Sequence, residues 1–350
     1  MRVVIADPPA YTPPYDYALA AALARQGVDV SLLTSHFRFG GVPEAAGFTV
    51  DDGLYRVSTG LHSRYGRLAV KGLEHPLALA RLARADCDLL HLQWVAAPEV
   101  DAWLLHTRRP LVFTAHDLLP RRTAGHTRTW RRLFARFDRV VTHSERGRRT
   151  LEAFGVPAAR LRVIPHPASP SDPPRTDDGR TVLALGVIRP YKGLADAVEA
   201  VLGVSGARLL VAGDPRIPLD GLRRAAGDRA EWRLGYLDDE QIASALGAAT
   251  VAVFPYRAEL DQSGALLQTI GAGVPAVVYD VGGLGEIVER FGAGRVVRPG
   301  DVSGLQRALR ELLYDEDALA AARAGAAGAR AELTWDRAAA AHVELYEELV

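Results

Sequence analysis

Two basic side chains lie close together in the segment "LGVIRPYKGL", where an apolar run ends and a helical pattern begins. Arg189 and Lys192 are three residues apart, and Gly186 precedes them at the end of the run. Cations beside the free amides of a helix N-terminus are a combination that binds phosphoryl groups. Only two of the 42 basic residues are lysines, Lys71 and Lys192. The segment therefore predicts a diphosphate-binding loop with a compact ammonium beside a guanidinium fork.

A second segment, "DQSGALLQTIGAGVP", predicts another helix N-terminus that faces the same phosphates. It follows the apolar run "VAVFPY", and a glycine in its first turn would let a ligand approach the backbone closely. Each charge-assisted hydrogen bond contributes about 1.5 to 3 kcal/mol, so several would hold a leaving diphosphate without a metal ion. The amides expected to donate these bonds belong to Ser263, Gly264, Ala265 and Leu266.

The composition argues against several classes of protein. The 42 acidic residues balance the 42 basic ones, so the net charge indicates neither nucleic acid nor a strongly anionic membrane as partner. The one cysteine, Cys87, excludes an internal disulfide framework and a cysteine-based zinc site. No run approaches the roughly 18 apolar residues of a spanning helix, and the first apolar run is too short for a signal peptide. We expect a cytoplasmic, bacterial protein, with peripheral membrane contact left open.

Apolar, β-branched runs alternate with helical patterns, as at 16–26 and 127–137, and predict the elements that position these residues. Strands that are apolar throughout are typical of a parallel sheet covered on both faces. A polar, proline-rich segment at 168–180 separates two series of such runs and is interpreted as a linker. The fold class is therefore α/β, with Rossmann-like doubly wound domains at 1–167 and 181–333 and ligands at the carboxyl ends of the strands. The predicted strands are 2–7, 29–35, 88–94, 111–117, 139–144, 161–167, 181–188, 207–213, 231–236, 251–256 and 275–280.

Motifs of other Rossmann-like enzymes are absent from the sequence. A nicotinamide enzyme requires G-x-G-x-x-G after its first strand, but this first strand runs into "ADPPAYTPPYDYALA", which contains no glycine. No Walker motif, metal-ligand histidine spacing or G-x-S-x-G elbow occurs either. The sequence therefore disfavours a dinucleotide oxidoreductase, and we expect no cofactor and no metal.

The pairing of "GVIRPYKGL" with "SGALLQTIGAGVPAVVYDVGGLGEIV" resembles the retaining GT-B nucleotide-sugar glycosyltransferases of glycosyltransferase family 4. The resemblance covers nearly the whole chain and includes "LVFTAHDLLP" and the terminal "TWDRAAAAHVELYEEL". It implies two Rossmann-like domains that face a central cleft, with the acceptor in the first and the donor in the second. It also implies that residues 334–350, the end of a helical region predicted at 316–350, pack back on the first domain. The implied reaction transfers a sugar from a nucleoside diphosphate with retention of configuration and without a metal.

The resemblance also implies roles for particular residues. Arg189 and Lys192 would bind the donor diphosphate and stabilise it as it leaves, and His116 would lie beside the anomeric centre. The other predicted donor contacts are Gly186, Arg233 and Gly235, the last two at a strand end near the place where such folds bind the base. The predicted acceptor contacts are Tyr15, Asp16, Trp94 and Asp117.

One motif of the family, a pair of glutamates spaced as E-x(7)-E, is missing. Aligned on "GAGVPAVV", the second glutamate falls on Gln268 and the first on Leu260. Gln268 can still hydrogen-bond to a ribose, but without a charge. Glu259 or Asp261 would replace the first glutamate only if the loop shifts by one residue. A branch of the family with "IRPYKG" and "SG" motifs also lacks the pair, so the loss leaves activity open.

Each of these residues could instead have a purely structural role. Arg189 and Lys192 could be solvated loop cations that pair with Asp196 or Glu199. On the same basis, His116 would be a strand-end histidine, Asp16 a helix N-cap, Trp94 a core residue and "LDDE" at 237–240 a helix cap.

The predicted function is a metal-independent, retaining hexosyltransferase. Its partners would be a nucleotide-sugar donor, with UDP before GDP or dTDP, and a hydroxyl of a saccharide, glycolipid or natural-product acceptor. Two rival functions stay open: a non-catalytic GT-B partner or activator, suggested by the missing glutamates, and a nucleotide-sugar epimerase or sugar phosphorylase on the same fold. We expect a monomer or homodimer and no nucleic-acid partner.

Overall fold

The chain folds into two compact α/β units. The structure, a computed structural model, describes residues 1–38, 40–119, 123–257 and 260–350. The first unit consists of Met1–Pro165 and Trp335–Val350, and the second unit of His166–Thr334. None of the described helices is long and apolar enough to cross a membrane.

The first unit is built around a parallel sheet. Its strands are β1 (Arg2–Asp7), β2 (Asp29–Ser35), β3 (Thr49–Leu54), β4 (Leu89–Leu92), β5 (Leu111–Thr114), β6 (Arg139–Thr142) and β7 (Leu161–Val163). The seven strands have the order β3-β2-β1-β4-β5-β6-β7, and every neighbouring pair is parallel. Val3 and Ile5 pack in one apolar cluster while Val4 and Ala6 pack in another. The alternation along β1 therefore buries both faces of the sheet, as parallel strands require.

Local signals fix the helix boundaries of the first unit. These helices are α1 (Pro13–Arg25), α2 (Arg56–Thr59), α3 (Arg64–Ala83), α4 (Pro98–Leu104), α5 (Thr127–Phe134) and α6 (Glu145–Phe154). The helix α1 begins with prolines, which need no amide partner in a first turn. The Ser144 side chain accepts a hydrogen bond from the Gly147 amide at the start of α6, and Gly155 ends that helix at φ +111°.

The second unit repeats the same architecture. Its strands are β8 (Thr181–Leu185), β9 (Arg208–Gly213), β10 (Ala230–Leu234), β11 (Val251–Phe254), β12 (Ala276–Tyr279) and β13 (Gly294–Val297). They form a six-stranded parallel sheet in the order β10-β9-β8-β11-β12-β13. Its helices are α7 (Leu194–Leu202), α8 (Asp220–Ala226), α9 (Asp239–Ala248), α10 (Gly264–Gly271), α11 (Gly283–Phe291), α12 (Val302–Tyr314) and α13 (Glu316–Glu332). Strands β11 and β12 are buried along their whole length.

The predicted linker and the predicted C-terminal helical region both differ in detail from what the sequence indicated. The proposed linker 168–180 contains no helix or strand, and its Thr176 amide donates a 2.9 Å hydrogen bond to the Gly247 carbonyl of the second unit. The helical region predicted at 316–350 is two helices, α13 and α14 (Trp335–Glu347). The break at residues 333 and 334 coincides with the passage of the chain from the second unit to the first. In the first unit, Arg25 binds Asp336 of α14 at 2.6 Å.

Every strand predicted from the sequence is present, and most end a few residues earlier than predicted. Two strands were missed. The strand β3, "TVDDGL", carries acidic residues and a glycine at the edge of its sheet, and β13, "GRVV", is too short to produce a pattern. Edge strands bury less apolar surface than central strands, so their sequences carry a weaker signal. The residues beyond the early strand ends form the loops that carry the candidate site.

Candidate active site

The carboxyl end of β8 opens a pocket in the second unit. Gly186 follows the strand at φ +105°, and a Cβ atom there would lie 3.1 Å from the Lys192 ammonium and 3.4 Å from the Ala265 Cβ. A side chain at Gly186 would therefore displace the lysine as well as strain the backbone. The pocket is lined by Gly186, Lys192, Pro255, Tyr256 and apolar residues of the sheet.

Arg189 and Lys192, the two cations of the loop after Gly186, differ in exposure and in hydrogen bonding. Arg189 is exposed, in extended backbone, and within the described residues its side chain makes no hydrogen bond or ion pair. One 3₁₀ turn, Pro190–Lys192, then leads to Gly193 at φ +67°. A Cβ at Gly193 would overlap the Pro255 carbonyl oxygen, so only glycine fits there. The helix α7 begins at the next residue, which confirms the predicted helix start.

A buried tyrosine directs the half-buried Lys192. The ammonium donates a 2.7 Å hydrogen bond to the Tyr256 hydroxyl, and Nζ lies 4.7 Å from the centroid of that ring. The Tyr256 oxygen also lies 3.2 Å from Ser263 Oγ. Lys192 pairs with no carboxylate among the described residues, so its charge is directed into the pocket without being neutralised. Tyr256 was not predicted from the sequence, although its position directly after the run "VAVFP" was a usable signal.

Asp196 does not pair with Arg189 or Lys192, contrary to the structural alternative proposed for these two cations. Its carboxylate is 3% exposed and accepts hydrogen bonds from Arg257 Nε at 3.0 Å and the Tyr279 hydroxyl at 3.0 Å. The ion pair with Arg257 holds the pKa of that guanidinium above its usual value. Because Asp196 forms an ion pair with Arg257, it is not the partner of Arg189 or Lys192.

The start of α10 supplies two open amides, fewer than the four predicted. The Ser263 amide donates to Gln262 Oε1 at 2.9 Å, and the Leu266 amide donates to Ser263 Oγ at 3.4 Å. The amides of Gly264 and Ala265 have no partner in the described part of the chain. A Cβ at Gly264 would meet no atom within 4 Å, so the space in front of these amides is open.

The residues at the E-x(7)-E positions have different environments. Leu260 is 7% exposed, and its carbonyl oxygen occupies the place that a Cβ of Gly282 would take, so the two backbones are in close contact. Asp261 is fully buried, whereas Gln268 is half-buried on α10. The predicted contact Glu259 lies outside the described residues.

The predicted base-binding residues end β10. Arg233 binds Glu231 at 2.7 Å and the Ser244 hydroxyl at 3.2 Å, so its guanidinium is engaged within its own unit. Gly235 has φ +131°, and its amide donates to the Gly213 carbonyl at 3.1 Å. The "LDDE" segment forms a capping box in which Asp238 and Gln241 exchange hydrogen bonds at the start of α9, which confirms the capping interpretation.

In the first unit, His116 is part of an aromatic cluster after β5. Its Nε2 lies 2.9 Å from Gln93 Oε1 and its Nδ1 lies 3.4 Å from His143 Nε2. The Tyr15 ring contacts it edge-on at 4.7 Å, and Trp94 stacks on it at 5.3 Å. The structure therefore brings together three predicted residues from different strands and α1. Asp117 follows His116 and is half-buried.

A buried polar chain connects this cluster to the C-terminal helix. His91 Nε2 lies 3.3 Å from Gln93 Nε2 and 2.7 Å from Thr114 Oγ1, while its Nδ1 lies 2.6 Å from the Tyr346 hydroxyl. Burial holds the pKa of His91 well below its usual value, so the ring is neutral. Tyr346 belongs to α14, and the terminal helix therefore orients Gln93 and, through it, His116.

Asp16 lies inside α1 and is paired with another carboxyl group. The helix is preceded by Thr12, so the N-cap interpretation of Asp16 is wrong. Asp16 is 1% exposed and hydrogen-bonds to Asp7, whose carboxylate also accepts the amides of Tyr11 at 2.7 Å and Thr12 at 3.0 Å. Burial and the neighbouring Asp7 charge raise the pKa of Asp16 well above its usual value, so folding favours the protonated form of Asp16.

Comparison with known proteins gives related matches for the two units. Residues 15–172 match the model described as Glycosyltransferase Family 4, and residues 179–315 match that of the Glycosyl transferases group 1. The chain is 28% identical over 283 residues to the phosphatidyl-myo-inositol mannosyltransferase of Mycolicibacterium smegmatis. That alignment covers 76% of this chain and 72% of the relative.

Solved structures share the fold over the whole chain. The sucrose-phosphate synthase from Thermosynechococcus elongatus superimposes with a TM-score of 0.78 at 20% identity, covering 100% of this chain and 99% of the other. Anabaena HepE, solved in complex with UDP-glucose, superimposes with a TM-score of 0.73 at 17% identity and covers both chains fully, at 100%. At these identities the likeness concerns the fold.

Proposed function

We propose that this chain, a GT-B glycosyltransferase with a family 4 domain followed by a group 1 domain, moves a sugar from a nucleoside diphosphate to an acceptor hydroxyl with retention of configuration. The observation that carries the proposal is the pocket after β8. There the charge of Lys192 is directed but has no carboxylate partner among the described residues, and it lies near the open amides of α10. Such a set of donors suits the oxygens of a diphosphate.

The second unit's loops would bind and stabilise the leaving group. Arg189 would position the diphosphate with its planar fork, while Lys192 would follow the charge that grows on the departing oxygen. The amides of Gly264 and Ala265 add fixed dipoles that cost no reorganisation during the reaction. Cationic side chains and amides would thus do the work that a metal ion does in other transferases, so we propose a metal-independent reaction.

The reaction would be a front-side substitution. The acceptor oxygen forms a bond to the anomeric carbon on the face from which the diphosphate departs, and the bond from that carbon to the phosphate oxygen breaks with its electron pair going to phosphate. The departing oxygen takes the acceptor proton. His116 is proposed to lie beside the anomeric centre, with its ring held by Gln93.

The donor is proposed to be a UDP-sugar, with GDP- and dTDP-sugars next. Anabaena HepE, whose solved complex contains UDP-glucose, shares the fold of this chain, so UDP-glucose is the first donor to test. Gln268, on the same helix as the open amides, is proposed to hydrogen-bond to the ribose. The acceptor is proposed to be a hydroxyl of a saccharide, glycolipid or natural product.

A non-catalytic GT-B partner is the second candidate, favoured by Leu260 and Gln268 at the glutamate positions. Incubation with UDP-, GDP- and dTDP-sugars separates the two, because a transferase hydrolyses its donor slowly even without an acceptor. We expect release of nucleoside diphosphate from one donor in the panel. Binding of a nucleotide sugar with no release, with or without a panel of acceptors, would favour the non-catalytic protein.

Retention needs its own measurement. Once a donor and an acceptor are found, the anomeric configuration of the product is read by proton NMR. A product with the donor's configuration supports front-side substitution, and an inverted product contradicts it.

A further inference from the structure

A second pocket with basic walls lies at the carboxyl end of the sheet in the first unit. Its walls come from the segments after β1 and β2, from the turn at α2 and from the first half of α3. The lining residues on which the argument rests are Ala10, Ser35, Arg38, Tyr55, Arg67 and Lys71. None of these residues has a role in the donor site, which belongs to the other unit.

The pocket gathers three cations that lack acidic partners. Lys71 is half-buried, and its Nζ lies 4.5 Å from the centroid of the Tyr55 ring. Within the residues that the structure describes, no carboxylate forms an ion pair with Lys71, Arg67 or Arg38. Lys71 follows Arg67 by one turn of α3, where like charges repel. An anion bound among the three side chains would relieve this repulsion.

The carboxylates near Lys71 are engaged elsewhere. Glu74 accepts the amides of Val57 at 2.9 Å and Ser58 at 3.0 Å, and Asp7 accepts two amides after β1. Burial lowers the pKa of Lys71 from its usual value, although the charge of Asp7 acts in the opposite direction. The charges of Asp101 and Glu74 act in the same direction as that of Asp7. None of the three carboxylates forms an ion pair with Lys71, however, and burial leaves the ammonium poorly solvated.

A buried hydrogen-bond chain fixes the floor of the pocket. The Tyr55 hydroxyl lies 2.7 Å from His75 Nδ1, and His75 Nε2 lies 2.8 Å from Asp101 Oδ1. Asp101 also accepts the Ala97 amide at 2.8 Å. Because Asp101 accepts the Nε2 proton, Nδ1 is the acceptor for the Tyr55 hydroxyl. All three side chains are buried, so the ring under Lys71 cannot turn away.

Strained backbone occurs at the same place. Ala10 and Tyr55 both have φ +53°, and they are the non-glycine residues with positive φ in the described ranges. Both line this pocket. Such conformations cost energy and persist where the surroundings enforce them, often at ligand sites. Two such residues in the lining of one pocket indicate that its shape is fixed.

We propose that this pocket binds a phosphoryl group of the acceptor, with Lys71 and Arg67 as specificity-determining residues. Three unpaired cations match a phosphate monoester, which carries a charge near −2 at neutral pH, better than a single carboxylate. The identification with the acceptor rests on the proposed transferase function, whereas the anion site itself does not. The phosphoryl group is that of a soluble phosphorylated metabolite or of a lipid headgroup.

Inorganic phosphate tests the site directly. Titration calorimetry is done on the K192A variant of the full chain, so that the donor loop contributes little binding. Adding K71M keeps the apolar stem but removes the charge, and we expect the phosphate dissociation constant to rise tenfold or more. K192A/K71R should retain most of the affinity. Equal affinity of K192A and K192A/K71M would overturn the proposal.

A matched control excludes a general effect of charge. Arg128 is an exposed arginine on α5 of the same unit, away from the pocket. K192A/R128Q should bind phosphate as K192A does, and a loss equal to that of K192A/K71M would overturn the proposal. Thermal unfolding of each variant shows whether it is folded. Donor turnover by the wild-type chain is a separate readout, so failure of the transferase function and failure of the anion site are distinguishable.

Two further ligands identify the source of the phosphoryl group. Glycerol 3-phosphate represents a soluble ester, and phosphatidic acid in phosphatidylcholine vesicles represents a headgroup, with pure phosphatidylcholine as the blank. Weaker binding of either one by K192A/K71M than by K192A supports the proposal and assigns the source. If K71M changes neither, the proposal is wrong.

Discussion

The two lysines of the chain lie at the carboxyl ends of different sheets, and each ammonium lies over a buried tyrosine ring. Lys192 Nζ is 4.7 Å from the ring centroid of Tyr256, and Lys71 Nζ is 4.5 Å from that of Tyr55. The hydroxyl groups differ. The Tyr256 hydroxyl accepts a hydrogen bond from Lys192, whereas the Tyr55 hydroxyl is hydrogen-bonded to His75 and not to Lys71. The Lys192 ammonium is thus oriented by a hydrogen bond before a ligand binds, whereas the Lys71 ammonium is positioned only by its contact with the ring.

This difference suggests two kinds of task. A charge that must follow a breaking bond benefits from a fixed direction, because reorganisation during the reaction is costly. A charge that recognises a group remote from the reaction needs position alone. Changes at Lys192, Tyr256 and Tyr55 test this comparison, and a change at Asp16 tests the buried carboxyl pair of the first unit.

Loss of the Lys192 charge should have the largest effect. We expect K192A to lower kcat for donor turnover by about 100-fold to 1000-fold, the range found when one donor to a developing negative charge is removed. The R128Q variant serves as the control and should keep wild-type turnover. Wild-type kcat in folded K192A would remove Lys192 from the mechanism.

Loss of the Tyr256 hydroxyl should have a smaller effect on the same step. Y256F keeps the ring under Lys192 but removes the oxygen that directs the ammonium, and we expect kcat/KM to fall about tenfold. Steady-state kinetics with the identified donor measure this change. If Y256F matches the wild type, direction by the hydroxyl contributes nothing, and the contrast between the two lysines is lost.

The matching change at Tyr55 should act on stability. In Y55F the buried His75 Nδ1 loses its partner, which should lower the free energy of unfolding by about 1 to 3 kcal/mol. Urea denaturation measures the change, with Y256F as the comparison. We expect Y256F to lose less, because half-buried Lys192 can be solvated. The reverse order would show that the two tyrosines have been assigned the wrong tasks.

The Asp7 and Asp16 pair should give the smallest effect, visible as a dependence of stability on pH. The pKa of Asp16 is raised in the folded state, so above the usual range of an aspartate the folded chain retains a proton that the unfolded chain has lost. Stability should therefore fall as pH rises from about 4 toward the raised pKa. Urea denaturation between pH 4.5 and 8 should show a weaker slope for D16N, whose amide cannot ionise. Identical slopes would place the proton elsewhere.

Much of the fold could be predicted from the sequence because buried parallel strands are apolar along their length. The loop after β8 could be predicted too, since Gly186, Lys192 and the start of α7 are neighbours in the chain. Ser263 and Gly264 could be recognised as a helix start. The hydrogen bonds that two of the four amides already make could not be predicted. Those bonds come from Gln262 and from the Ser263 side chain itself, and their geometry has no sequence pattern.

Features that join distant segments could not be predicted. Tyr55, His75 and Asp101 come from three elements and form one hydrogen-bond chain only in the folded unit. The burial of Asp16 against Asp7 depends on how α1 packs on β1, so the sequence suggested an N-cap instead. The only feature of Lys71 in the sequence was that lysine is rare in this chain. The pocket around it is a product of tertiary structure.

Titration of UDP by isothermal calorimetry tests the central claim most directly, because it needs neither the sugar nor the acceptor. We expect the wild-type chain and R128Q to bind UDP with the same affinity and K192A to bind it at least tenfold more weakly. Unchanged UDP affinity in K192A would contradict the assignment of the diphosphate to the loop after β8.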